Sequence, residues 1–183
     1  MKFFYLLFIF IFLISCENEP IELFSNLDAS DHEKILNGPN STEKHILNLI
    51  YQKDTSLNDS LFKGIISKIG NSEKDWRIHS FHAMAYYCDQ INSNQRIELQ
   101  LALFNYFLYH PNEYMQQVGS MKFNKSDCFL SLFSQYVQAY VATNNVTIIS
   151  MKNVAYKHCD NCSDSQILSV YSYLELASRF QKE

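Results

Sequence analysis

Once a helix starts in this chain there is little to stop it, and that limits its folds more than any other feature. Only four glycines and three prolines occur in 183 residues, against fourteen phenylalanines and twelve tyrosines. Scarce breakers and many large side chains favour helices packed on helices. From Asn40 onward the apolar residues recur with the helical period. Asn40 stands as a cap, with Glu43 reaching back, ahead of Ile46, Leu49 and Ile50 on one face. A second helix is expected from Ser56, carrying Leu61, Phe62, Ile65, Ile66 and Ile69 until Gly70 stops it. A third opens at Ser72, with Asp75 three residues on, and runs through Trp76, Phe81, Met84 and Tyr87 to Ile91.

A fourth helix, after Asn94, is apolar nearly all round from Leu99 to Tyr109, the pattern of an element with neighbours on several sides. His110-Pro111 interrupts it, and Pro111 suits the first position of a short helix to Val118. A polar link from Lys122 to Ser126 is expected next, then a helix with Phe129, Leu132, Phe133, Tyr136 and Tyr140 on one face. Val146 to Ala155 is read as a helix despite the β-branched run Val146-Thr147-Ile148-Ile149. The last helix opens with a capping box, Ser163 to Gln166, and continues through Val170, Leu174 and Ala177. The fold expected is all-α, an irregular orthogonal bundle of about seven helices, with a short α-solenoid as the alternative. The pair from Leu57 to Ile91, entered by Asp75-Trp76-Arg77-Ile78, resembles a HEAT-type repeat. The resemblance covers one copy, whereas a solenoid needs about three stacked repeats.

The N-terminus has a separate logic. Met1 and Lys2 precede an apolar run from Phe3 to Ile14, which meets Ser15, Cys16, Glu17 and Asn18. This is the layout of an export signal. A spanning helix takes roughly 20 apolar residues, and this run is too short to anchor the chain by itself. Leu13-Ile14-Ser15-Cys16 resembles the lipobox of bacterial lipoproteins: an apolar residue, a tolerant position, a small residue and a cysteine. The resemblance covers only this segment. It implies a diacylglycerol on the Cys16 thiol, cleavage before Cys16, and acylation of the new amine. Two or three acyl chains give stable membrane attachment, since one chain binds only reversibly. The organisation expected is therefore a signal peptide over 1–15, a lipid-anchored tether and lead-in over 16–40, and a single helical domain over 41–183. Glu17 and Glu19 resemble sorting signals that place some lipoproteins on the cell surface.

Charge and cysteines bound the partners. Fifteen basic residues stand against nineteen acidic ones. Loss of Lys2 with the leader leaves fourteen against nineteen, which gives no basic footprint for nucleic acid. Four cysteines remain once Cys16 is assigned to lipid: Cys88, Cys128, Cys159 and Cys162. An even number in an exported chain fits two disulfides, with three possible pairings. Cys88 with Cys128 would link neighbouring helices, Cys159 with Cys162 would close a local loop, and buried free thiols are the alternative.

Three constellations carry chemistry on paper. His79 and His82 lie one turn apart, with Cys88 and Asp89 further along, a start on a metal site that lacks further ligands. Cys159-Asp160-Asn161-Cys162 has redox-pair spacing, but no histidine follows for haem attachment and no βαβ context surrounds it, so a loop staple is expected. Glu73 with Asp75 sits at a helix start, where capping explains both. Tyr86, Tyr87, Tyr106, Tyr109, Tyr136, Tyr140, Tyr171 and Tyr173 are either half-buried packing or a recognition surface. No nucleophile elbow, Walker sequence or glycine-rich fingerprint occurs. The expectation is a non-enzymatic, membrane-tethered lipoprotein of the cell envelope that binds another envelope protein, without nucleic acid, metal or cofactor. The alternatives are an immunity or inhibitor lipoprotein against a periplasmic toxin, and a metal-dependent or redox enzyme using His79 and His82 or Cys159 and Cys162.

Overall fold

In a computed structural model of the chain, residues 41–50, 56–71, 73–121, 123–159 and 161–180 are described. The expected leader, Cys16, the lead-in to Asn40, and Ser72, Lys122 and Asp160 lie outside them. The described residues form eight helices and no strand: α1 (Ser41–Ile50), α2 (Asp59–Asn71), α3 (Lys74–Tyr87), α4 (Ser93–Tyr109), α5 (Pro111–Ser120), α6 (Phe123–Asn144), α7 (Ile148–Lys157) and α8 (Asp164–Arg179). No described helix is long and apolar enough to cross a membrane.

Local chemistry accounts for most of the helix starts. Asn58 Oδ1 accepts the Leu61 N–H at 3.0 Å ahead of α2, so this helix begins three residues later than Ser56. Asn92 and Gln95 form a capping box that starts α4 at Ser93 rather than after Asn94. Pro111 opens α5, where its missing N–H would have had no intrahelical acceptor. Thr147 with Ser150, and Ser163 with Gln166, build the same reciprocal box at α7 and α8. Two further boundaries differ from expectation. At α3 the N-cap is Glu73, whose side chain makes no capping bond. At α6 the helix already runs from Phe123, so the polar link from Lys122 to Ser126 is helix from its second residue. That stretch contains neither glycine nor proline, and nothing in it ends a helix.

Packing closes the bundle. Helices distant in sequence touch, α3 with α6 and α5 with α8. One apolar cluster draws residues from all eight helices. A solenoid would instead confine contacts to adjacent repeats. Helices α2 and α3 pack on each other, and their further neighbours are α1, α4 and α6 in one core. Close approach of α1 and α2 depends on Gly64, where an added Cβ would lie 2.9 Å from Thr42 Oγ1. At the centre, Phe81 is fully buried and meets Tyr106, Tyr114 and Phe129 edge-on, with centroids 5.3, 5.4 and 4.9 Å away.

Two disulfides cross-link this frame. Cys88, which caps the C-terminus of α3, is bonded to Cys128 of α6, 40 positions further along the sequence, with Cα atoms 6.1 Å apart. Cys159 and Cys162 close the turn from α7 to α8, with Cα atoms 5.5 Å apart. On chain-entropy grounds the long loop contributes about 4 kcal/mol and the short one about 2 kcal/mol.

Candidate functional site

One cluster of buried and half-buried polar groups lies where α3, α4 and α5 meet. Arg77, on the first turn of α3, reaches Glu113 on α5 with Nε to Oε1 at 2.7 Å and Nη2 to Oε2 at 3.1 Å. Tyr106 of α4 donates its hydroxyl to the same Oε1 at 2.7 Å, and the guanidinium lies over the Tyr106 ring at 5.8 Å from its centroid. His110, at the junction of α4 and α5, packs beside Tyr106. One turn further along α3, His82 is buried and donates from Nε2 to Gln117 Oε1 at 2.9 Å. Residues 36 positions apart thus form a forked ion pair, a geometry that fixes orientation as well as charge.

The electrostatics say what this cluster can do. Burial pulls the Glu113 carboxyl upward, but hydrogen bonds from Arg77 and Tyr106 and the guanidinium charge outweigh it and hold its pKa below the ordinary carboxylate value. Burial works against the Arg77 charge too, and the bond to Glu113 overcomes it, so its pKa rises. A general acid at neutral pH needs the reverse, a carboxyl pushed up and left with a free oxygen to present. Glu113 is ionised, and three donors already engage its two oxygens. The arrangement is built to lock three helices together.

The histidine pair behaves likewise. His79 is half-buried, donates from Nδ1 to the Asp75 carbonyl and packs on Trp76. His82 points to Gln117 instead. Among the described residues no three His, Cys, Asp or Glu side chains converge on a metal-sized space. Burial lowers both imidazole pKa values from 6.5; the Asp75 backbone opposes this at His79, and Gln117 opposes it at His82. A histidine whose folded pKa lies below its unfolded value takes up a proton on unfolding. Its stabilising effect is therefore complete above about pH 6.5 and fades as pH falls below that value. Glu113 contributes above its ordinary value of 4.5 and loses its contribution as pH falls through the lower folded value. The thermal midpoint, followed by circular dichroism, is expected to stay level above neutrality, decline below about pH 6.5 and fall again below about pH 4.5. A midpoint flat down to pH 4.5 would remove the two histidines from this account.

The eight tyrosines divide. Tyr87, Tyr106 and Tyr173 are buried, Tyr109 is 52 % exposed, and the other four are half-buried. Tyr173 meets Tyr114 hydroxyl to hydroxyl at 3.3 Å, and burial pushes its pKa up to about 12. These rings are packing rather than a continuous recognition face. Exposed apolar side chains, which the sequence reading did not single out, are concentrated elsewhere. Every large hydrophobic residue exposed among the described residues lies on α4, α7 or α8. Ile97 and Leu101 project from α4, Ile149 and Tyr156 from α7, and Leu168 and Leu176 from α8. Helix α7 packs on both of the others. Periodicity does not find them, because it reports which face a helix buries and not which apolar side chains stay in water. A cleft of about 280 Å³ between α5 and α8 is lined by Asn112, Met115, Gln116, Ser165, Gln166 and Ser169. It lies just under the 300–1,000 Å³ typical of small-molecule sites and carries no charged lining residue.

Fold and polar cluster together define an all-α, disulfide-bonded helical bundle whose buried ionic groups are structural. No protein-family model, curated protein or solved structure matches the chain.

Proposed function

We propose that this chain is a bacterial envelope lipoprotein, acylated on Cys16, whose helical body binds another envelope protein outside the cytoplasm. The observation that carries the reading is the cysteine arithmetic. Five cysteines occur, and the four in the body pair with one another, which leaves Cys16 as the odd one. That odd cysteine closes Leu13-Ile14-Ser15-Cys16 at the end of an apolar run. Two disulfides also suit an oxidising compartment, where such bonds persist. The large apolar side chains left exposed on α4, α7 and α8 favour a protein partner that would cover them. The acidic balance of the chain after residue 15 disfavours nucleic acid.

Mass spectrometry of the protein from its native host tests the anchor. The expected N-terminus is a Cys16 carrying diacylglycerol and an acylated amine, in the membrane fraction. The variant Cys16→Ala is expected to keep its leader and lose the lipid mass. An unmodified Cys16 thiol in the native protein would overturn the anchor. In the same cells, a photo-crosslinker at position 149 is expected to give a discrete protein adduct that a crosslinker at position 73 does not. Identical products at the two positions would overturn the binding face.

A further inference from the structure

The two disulfides stand in opposite surroundings. Cys88 and Cys128 are 0 % and 7 % exposed and belong to the apolar cluster. Cys159 is nearly as well covered, at 8 %, whereas Cys162 is half-buried at the surface of the α7–α8 turn. That turn is tight: the Cys162 N–H bonds to the Cys159 carbonyl at 3.2 Å, and Asn161 adopts a left-handed φ of 60°. The sulfurs also belong to opposite helix ends. Cys159 follows the last turn of α7, where its N–H bonds to the Tyr156 carbonyl and the helix end carries partial negative charge. Cys162 immediately precedes Ser163, the N-cap of α8, where free amides and partial positive charge favour a thiolate. Asp164, in the first turn of α8, opposes this, and His158 stands on the other side of the pair, against Tyr109.

We propose that Cys159–Cys162 is an exchangeable disulfide that accepts electrons from a protein dithiol, with Cys162 as the sulfur attacked and Cys159 as its buried partner. In the first step a thiolate of the dithiol attacks Sγ of Cys162. The Sγ–Sγ bond breaks, and its electron pair leaves on Cys159, which takes a proton from solvent. A mixed disulfide now joins the dithiol to Cys162. In the second step the other thiolate of the dithiol attacks its own bonded sulfur and expels Cys162 as a thiolate. The dithiol ends as a disulfide, and Cys159 and Cys162 end as thiols, a two-electron transfer. The asymmetry favours completion. The thiolate expelled last is the one that α8 stabilises, and a lower leaving-group pKa speeds exchange. The order is set by the fold, because the helix that activates a thiol begins after the second cysteine.

The full-length chain, purified from membranes in detergent, is treated with limiting dithiothreitol, blocked with iodoacetamide and mapped by mass spectrometry. The expected product carries label on Cys159 and Cys162 while the Cys88 and Cys128 peptides stay linked. Two single variants then assign the roles. Cys162 in Cys159→Ser is expected to form a mixed disulfide with dithionitrobenzoate about tenfold faster at neutral pH than Cys159 does in Cys162→Ser. Should either variant fail to fold, brief alkylation of the reduced wild-type protein reads the same preference, with Cys162 labelled first. Equal rates at the two cysteines, faster reaction at Cys159, or earlier opening of Cys88–Cys128 would each overturn the proposal.

Discussion

Replacing Phe81 by alanine is expected to lower the unfolding free energy by about 3–5 kcal/mol, the largest single loss in this molecule. The ring is fully buried and is the hub of edge-on contacts with Tyr106, Tyr114 and Phe129, so its removal affects α3, α4, α5 and α6 together. Those neighbours are themselves large, rigid and held by other rings, and they cannot collapse into the space. For a domain of this size the thermal midpoint should fall by about 10 °C. Urea titration followed by circular dichroism gives the free energy directly. A loss below about 1 kcal/mol would mean that the surrounding rings close the gap and that Phe81 is not the hub described here.

Arg77→Ala is expected to rank next, at about 3 kcal/mol, because it leaves the Glu113 carboxylate and the Tyr106 hydroxyl largely out of water without their cation. The reverse variant, Glu113→Ala, takes the carboxylate away from the guanidinium and should also destabilise the fold. The instructive comparison is the triple change Arg77→Met, Glu113→Leu, Tyr106→Phe. It removes all three polar partners and fills the space with apolar atoms, so it should recover most of the loss. If the triple variant were less stable than Arg77→Ala, the ion pair would be a net source of stability and not merely a costly thing to break. Denaturant midpoints of the three proteins decide between these outcomes.

How far the fold was legible depends on the range over which each signal acts. Caps are local, and Ser163 with Gln166 and Pro111 at the head of a short helix stand where side-chain chemistry three residues long puts them. The stretch from Val146 was readable only as a weak helix, since β-branched residues lose side-chain freedom there. Its structure explains the outcome: Thr147 is used as a cap, outside the helix, and only Ile148 and Ile149 of the run enter α7. The link from Lys122 to Ser126 misled because its residues are polar, and polarity alone does not end a helix. The polar cluster was illegible for another reason. Arg77 and Glu113 meet across 36 residues, and no spacing rule connects positions brought together by the crossing of α3 and α5. His79 and His82 drew notice because they are one turn apart, yet their polar partners, the Asp75 carbonyl and Gln117, lie in different directions.

The Cys88–Cys128 bond has a mechanical consequence. If load is applied between α1 and α8, tension passes from residue 88 to residue 128 across the sulfurs and bypasses the peptide between them. Helices α4 and α5 lie wholly inside that bypassed loop, and roughly 130 Å of contour length is withheld from extension while the bond lasts. Stretching would therefore unravel helices on either side of the loop and leave its interior slack, so the middle of the molecule is shielded from force.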